Sequence, residues 1–177
     1  MILEAIQLIP PTEGSLDQVW AYRQECLDTG SSMDGCGPLR QVDTPAEWLA
    51  RVISCTDPAT VPEGKVLATQ FLAVRKSDGR LVGMIQVRHY FNEYLEKYAG
   101  HIGYSVRPGE RRKGYAKEML RLALPYCKAL GLNRVLISCE PENEGSRRTI
   151  LSNGGAYEST VHEPEENIDL ERYWITL

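Results

Sequence analysis

No uninterrupted apolar run in this chain approaches the roughly 18 residues that a membrane-spanning helix needs. The first eight residues carry Glu4 and Gln7 where a secretory leader has a basic segment and then an apolar one, so no signal peptide is read. There is no C-x-x-C pair: Cys26, Cys36, Cys55, Cys127 and Cys139 are odd in number and widely spaced. That pattern points to reduced thiols in a cytoplasm, with neither a disulfide framework nor a metal site. An excess of positive charge is missing as well. Twenty Lys and Arg against 24 Asp and Glu leave a formal charge of -4, which disfavours nucleic acid and anionic membranes as partners of the whole molecule. Internal repeats and low-complexity tracts are also absent.

What remains is the composition of one globular domain: 177 residues, 42% hydrophobic and 25% charged, a length that can bury roughly 70% of its unfolded surface. Met1 to Ile9 reads as a strand ended by Pro10-Pro11. Ser15 to Leu27 has helical spacing, with Ser15 as its N-cap. A Gly- and Ser-rich loop from Thr29 to Pro38 follows, of the kind that borders sites. Thr44, Pro45 and Glu47 form an N-cap, first-turn proline and N3 acid that open a second helix through about Ser54.

Two β-branched runs, Val66 to Lys76 and Arg80 to Tyr90, are joined by the turn Ser77-Asp78-Gly79 and read as a hairpin. A strand over about 101–107 precedes an amphipathic helix from about Gly114 to Leu130, whose apolar stripe is Ala116, Met119, Leu120, Ala123, Cys127 and Leu130. Gly131 ends that helix, and Pro125 inside it should cost about 3 kcal/mol or kink its last turn. Arg134 to Glu140 is a strand too apolar for an edge. Gly145 to Ser152 is a short helix, and Ala156 to His162 and Arg172 to Leu177 are closing strands. Between the last two, Glu163, Glu165, Glu166, Asp169 and Glu171 read as a solvated acidic turn. The order implies an α+β domain around one mixed, mostly antiparallel sheet flanked by about four helices.

One segment carries chemistry. From Arg107 to Arg121 there are six bases (Arg107, Arg111, Arg112, Lys113, Lys117, Arg121) and two acids (Glu110, Glu118), a local +4 in a chain of -4. Gly114 opens the helix, whose first-turn N–H groups and dipole favour an anion, so a phosphate is the natural ligand. Neither the Walker pattern nor G-x-G-x-x-G is present, which excludes the common nucleotide loops. A basic turn with no bound anion, and a basic nucleic-acid-binding loop, are the competing readings; the second lacks interleaved aromatics.

Arg111-Arg-Lys-Gly114-Tyr-Ala116, directly after a strand ending in Val106-Arg-Pro108, resembles the R/Q-x-x-G-x-G/A pyrophosphate loop of the GNAT-type N-acetyltransferases. Asn143-Glu-Gly-Ser146 followed by Gly154-Gly155 is similar to the second segment of that family. The start His101-Ile-Gly-Tyr104 and the ending Arg172-Tyr-Trp174 resemble a bacterial branch of predicted acetyltransferases. The resemblance implies a single domain over 1–177, its sheet splayed at the strands about 101–107 and 134–140. The donor half would cover about 100–155, and the helices of about 15–55 would lie on the acceptor side. It implies acetyl-CoA as co-substrate and a primary amine of a small molecule or peptide as acceptor, attacked directly, and it leaves a homodimer open.

Residue by residue, it implies that the backbone of Arg111, Arg112, Lys113, Gly114, Tyr115 and Ala116 holds the pyrophosphate. Ser105 and Val106 would pair with the pantetheine arm, and Asn143 and Ser146 would contact it, although Asn143 is equally a helix cap. Where many members have a thiolate-protonating tyrosine, this chain has Ile150. Tyr104, Tyr157 and Tyr173 are the substitutes in view, and each is also a plain sheet residue. A base must deprotonate an amine whose reference pKa is about 10.4. His101, Glu140 and Glu96 are the candidates, with ordered water as the alternative. Cys139 lacks a partnered histidine and is not expected to be a nucleophile. Glu25, Asp28 and Asp34 would draw a cationic acceptor or simply be solvated. A non-catalytic acyl-CoA sensor is the alternative to an enzyme.

Overall fold

The Ser77-Asp78-Gly79 turn places the first pair of strands. Asp78 accepts the Arg80 N–H at 3.1 Å and pairs with Arg75, and the chain reverses from β2 (Ala68–Arg75) into β3 (Leu81–Arg88). The computed structural model describes residues 3–177. Its other elements are β1 (Ile6–Ile9), α1 (Leu16–Asp28), α2 (Pro45–Ser54), β4 (Ile102–Val106), α3 (Tyr115–Ala129), β5 (Arg134–Cys139), α4 (Glu144–Ser152), β6 (Ala156–Glu163) and β7 (Ile168–Thr176). Short 3-10 turns precede α1 and α3, and a π turn, Leu95–Ala99, leads into β4.

The expected single mixed sheet is two antiparallel sheets. One has the order β1-β2-β3-β4 and the other β5-β7-β6. They touch where Gly100 faces Ile137 and the His101 N–H donates to the Leu136 carbonyl at 2.8 Å; beyond that point β4 and β5 share no ladder. The expected splay is therefore present. Its consequence for β5 was not expected: β5 pairs only with β7, so this apolar strand is an edge, and its side chains are buried because Val135, Ile137 and Cys139 pack into the core with α3 and Ile150.

Two cores flank the first sheet. Ile85, Met119, Leu120, Cys127, Ile137 and Ile150 pack between both sheets, α3 and α4. On the opposite face Val19, Tyr22, Cys36, Trp48, Leu72 and Met84 pack α1, α2 and the loop between them against β2 and β3. This places the 29–38 loop over β4. Gly35 has φ +72, and a Cβ there would lie 2.3 Å from the Gly103 carbonyl oxygen, so only glycine lets the loop lie flat on the strand.

Thr44 caps α2 as expected, accepting the Glu47 N–H at 3.1 Å. Other local expectations shift. Strand β1 begins at Ile6, and Met1 and Ile2 lie outside the described residues. Ser15 occupies the N-cap position of α1, but its hydroxyl turns back to accept the Thr12 N–H at 3.0 Å. Helix α3 runs past Pro125 to Ala129, with the proline on the exposed side, where the carbonyl it leaves without a helical donor is on the solvent face. Strand β7 begins at Ile168, so Asp169 and Glu171 are strand residues. Glu163 is buried, accepting the N–H groups of Glu165 and Glu166, and Glu171 pairs with Arg147. The acidic stretch is thus only partly a solvated turn. Among the described residues no helix is long and apolar enough to cross a membrane.

Candidate active site

The loop before α3 holds two residues in the left-handed region, Arg112 at φ 61 and Gly114 at φ 88. A Cβ on Gly114 would meet only Leu3 Cδ1, at 3.5 Å, so the position needs glycine for its backbone angle, not for space. Glu118 is the first residue of α3 whose N–H meets an intrahelical acceptor, the Gly114 carbonyl at 3.2 Å. The N–H groups of Tyr115, Ala116 and Lys117 are therefore the helix's unsatisfied donors, with the positive end of its dipole behind them.

What holds this loop is an acid. Glu110 is buried and receives Arg75 at 3.0 Å, Arg80 at 2.7 Å and Lys113 at 2.8 Å, while Arg75 also reaches the Tyr115 hydroxyl at 3.3 Å. Burial opposes ionisation of Glu110, but Lys113 and Arg75 outweigh it and hold the carboxyl below its ordinary range. Lys113 is therefore committed to the loop's own structure. Arg107 is committed too, buried and paired with Glu25. This removes Glu25 from the acids that would draw an acceptor, and it narrows the basic patch. Arg111 donates to the Val106 carbonyl at 3.2 Å and Arg112 is exposed, so these two keep outward charge for a phosphate.

The gap between β4 and β5 opens beside this loop. Ser105 turns to the α1 side, where its hydroxyl meets Tyr22 at 2.7 Å and the Cys36 thiol at 3.3 Å, both fully buried. Tyr104 turns to the other side and bonds Ser146 across the gap, 2.8 Å between hydroxyls. Burial raises the Tyr104 pKa, so it keeps its proton. Asn143 caps α4, its Oδ1 accepting the Ser146 N–H at 3.0 Å. The structure thus brings together Tyr104, Ser105, Val106, the 111–116 loop, Asn143 and Ser146.

It does not bring all the catalytic candidates there. His101 is 5% exposed, stacks on Phe91 at 4.1 Å, and its Nδ1 accepts the Leu136 N–H at 2.9 Å. Burial and the nearby Arg88 push its pKa down to about 4. A neutral core ring with its acceptor nitrogen occupied is a poor base for an alkylammonium. Tyr157 is an exposed residue of an outer strand, bonded to Thr160 at 2.8 Å, and Tyr173 donates to Glu171 at 2.6 Å in the core; neither is placed at the gap. Glu96 is exposed on the π turn. Glu140 directly follows β5 and lines a shallow cavity with Glu142, His162, Asn167, Ile168 and Asp169. Burial raises the Cys139 thiol to about 11, which leaves it inert as a nucleophile. Ile150 is fully buried, with Gly155 packed against it, so this helix position points into the core.

Two features of the site escaped the sequence: the Glu110 hub and the Tyr22–Ser105–Cys36 cluster. Glu110 carries a faint signal as a lone acid ahead of three bases. The cluster depends on pairings across some 70 to 80 residues and has none.

Comparison with known proteins adds context to this geometry. Residues 6–156 match the family model described as acetyltransferase (GNAT) domain. The uncharacterized N-acetyltransferase YnaD of Bacillus subtilis (strain 168) is 32% identical over 88 residues, an alignment that spans about half the length of each chain (49%). The ribosomal-protein-S5-alanine acetyltransferase from Vibrio fischeri is similar in structure, with a TM-score of 0.73 at 18% identity over 99% of this chain and 94% of that one. RimL, a ribosomal L7/L12 alpha-N-protein acetyltransferase in complex with coenzyme A, aligns with a TM-score of 0.72 at 15% identity, covering 97% of this chain and 94% of its own.

Proposed function

The chain belongs to the acetyltransferase (GNAT) domain family, and from that premise we propose that it transfers the acetyl group of acetyl-CoA to a primary amine by direct attack. The observation that carries this reading is the unladdered gap between β4 and β5, flanked by the open helix N-terminus at Gly114. Free backbone groups along the gap suit a pantetheine arm, and the N–H groups at 115–117 suit a pyrophosphate, with Arg111 and Arg112 beside them. A main-chain N–H of β4 would stabilise the oxyanion that develops on the thioester carbonyl. No metal or covalent intermediate is required: the amine attacks the carbonyl carbon, the C–S bond breaks, and CoA leaves as a thiol.

Tyr104 is the tyrosine we assign to protonating that thiolate, because it alone of the three candidates lies at the gap and stays protonated. Glu140 is the carboxylate we assign to receiving the amine proton, through water, from its place beyond the end of β5. The helices α1 and α2 and the 29–38 loop would form the acceptor side. Five unpaired cysteines fit a reducing cytoplasm.

The test is a thiol-release assay of the purified protein with acetyl-CoA against polyamines, aminoglycosides, amino acids and peptides. Turnover with an amine is expected. Tight acetyl-CoA binding without turnover of any amine would replace the enzyme by a CoA sensor, and absence of CoA binding would overturn both.

A further inference from the structure

Among the described residues β4 has a ladder on one side, with β3, and its open side is the one that would face the thioester. Antiparallel neighbours alternate between residues that exchange hydrogen bonds and residues that do not. Arg88 donates to the His101 carbonyl at 2.7 Å and Arg107 to the Val82 carbonyl at 2.8 Å. These are two ends of one unbroken register, so Gly103 and Ser105 are the bonded positions between them. The N–H groups of Tyr104 and Val106 therefore point away from β3 toward the gap, where Arg111 occupies the Val106 carbonyl. An edge of this kind has no second ladder to fix its position.

Side chains fix it instead. Gly103, Ser105 and Arg107 face the α1 side, and each is held. The Gly35 backbone lies on Gly103, its nitrogen 3.1 Å from the place a Cβ there would take. Arg107 pairs with Glu25 and donates to the Leu81 carbonyl at 3.2 Å. Between them the Ser105 hydroxyl meets Tyr22 at 2.7 Å and Cys36 at 3.3 Å. Tyr22 and Glu25 stand one turn apart on α1, so they make adjacent rungs to Ser105 and Arg107. Cys36 is anchored in turn: its carbonyl accepts the Trp48 indole N–H at 2.7 Å, and the Gly35 carbonyl accepts Gln70 at 2.7 Å. Burial raises the Tyr22 hydroxyl well above its ordinary pKa and the Cys36 thiol to about 12, so both keep their protons. The Ser105 oxygen has lone pairs for both. In an apolar core such a network adds little stability over apolar side chains of the same shape, but it specifies one arrangement.

We propose that Tyr22 and Cys36, acting through the Ser105 hydroxyl, are positioning residues: they set the open edge of β4 so that the N–H groups of Tyr104 and Val106 meet the thioester carbonyl. This rests on the acetyltransferase reading above, in which a β4 N–H receives the developing oxyanion. That stabilisation is steep in geometry, since a misplacement of about 1 Å can cost about 100-fold in rate. Neither residue touches the substrate; the effect runs through the strand.

The experiment reads the carbonyl itself and needs no acceptor amine. Infrared difference spectra are recorded for acetyl-CoA, isotopically labelled at its thioester carbonyl, bound to the wild-type protein, Tyr22→Phe, Cys36→Ala, Cys36→Ser and the control Tyr157→Phe. A donor in place lowers the carbonyl stretching frequency below that of free acetyl-CoA. The wild-type protein, Cys36→Ser and Tyr157→Phe are expected to show that downshift in full, and Tyr22→Phe and Cys36→Ala to lose part of it. CoA, which lacks the carbonyl, should keep its dissociation constant within about twofold in every variant. With any amine that turns over, Tyr22→Phe should lower kcat about 10-fold at an unchanged KM. Adding Ser105→Ala should then lower it little further, since both act through one hydroxyl. Residues that only pack would lower the melting temperature and leave the bound frequency and kcat as in wild type; that result would overturn the proposal while leaving the transferase intact. Cys36→Ala decides the matter should Tyr22→Phe fail to fold. A wild-type carbonyl with no downshift would remove the β4 donor from the transfer reading, and this proposal with it. If no amine turns over, the transfer reading fails by itself, and loss of the downshift in Tyr22→Phe still supports the positioning role.

Discussion

The buried, neutral ring of His101 is expected to make the protein acid-sensitive and to contribute little as a base. Its folded pKa of about 4 lies below the unfolded value near 6.5, so the unfolded chain binds the proton more readily. Its contribution to stability is complete above about pH 6.5 and is lost as pH falls toward 4, amounting to up to about 3 kcal/mol by the linkage relation. His89, also lowered by burial, adds in the same direction. His101→Asn retains an acceptor for the Leu136 N–H and should flatten the stability profile between pH 4 and 6.5 in urea titrations, with turnover at pH 8 within about threefold of wild type. A loss of 100-fold or more, the scale of a removed general base, would return His101 to the chemistry. Tyr104 should behave in the opposite way. Tyr104→Phe is expected to lower kcat by about 100-fold at a nearly unchanged CoA dissociation constant, while Tyr157→Phe should change kcat by less than about twofold. Inserting the family tyrosine through Ile150→Tyr is a poor test here, since the buried site would be overpacked at about 1–3 kcal/mol.

At the scale of elements, the loop before α3 separates two ways of binding a phosphate. If charge alone bound the anion, Glu110→Gln would help, because it removes a negative charge and frees Lys113. If backbone geometry bound it, the same change would hurt, because Arg75, Arg80 and Lys113 lose the carboxylate that fixes the loop around Gly114. The left-handed angles at Arg112 and Gly114, and the donors at 115–117, favour geometry. Glu110→Gln should therefore weaken CoA about 5- to 10-fold by calorimetry. It should also cost about 2–3 kcal/mol, the lower end for a broken buried pair since Asp78 still holds Arg75, or roughly 5–10 °C in melting temperature. Tighter CoA binding by the variant would show that the loop works by charge.

The same element shows what could be read from the chain alone. Capping at Thr44, the α3 stripe, the hairpin turn and the Gly114 loop are local patterns, and each stands where its pattern places it. Partnerships across the sheet were not readable. Glu110 looks like one more solvated acid until the fold brings Arg75 and Arg80, some 30 residues earlier, onto it. His101 opens its strand as a surface histidine would, until the meeting of the two sheets buries it. Strand β5 reads as too apolar for an edge because its run of side chains reports the core packed on its face, and says nothing of whether a strand lies beside it.

For the whole molecule, the division into two sheets, joined among the described residues at one bridge, would make a ligand bound in the gap part of the architecture. An arm lying between β4 and β5 would pair with backbone groups of both sheets where the protein leaves no ladder of its own. Acetyl-CoA or CoA at 100 times its dissociation constant should then add about 2.7 kcal/mol by mass action, roughly 5–10 °C in melting temperature for a chain of this length. ATP and NAD carry phosphates but no pantetheine, so at the same concentration they should engage only the α3 N-terminus and shift the melting temperature by less than about 2 °C. Mass action alone does not distinguish a phosphate site from a ligand spanning the gap; hydrogen exchange does. With CoA bound, amides on the open edge of β4 after Ile102 and of β5 after Ile137 should slow by at least tenfold, whereas ATP at saturating concentration should slow only the first turn of α3. Equal stabilisation by all four ligands, with protection confined to residues 111–118, would mean that the basic loop is a general anion site and that the gap between the sheets plays no part in binding.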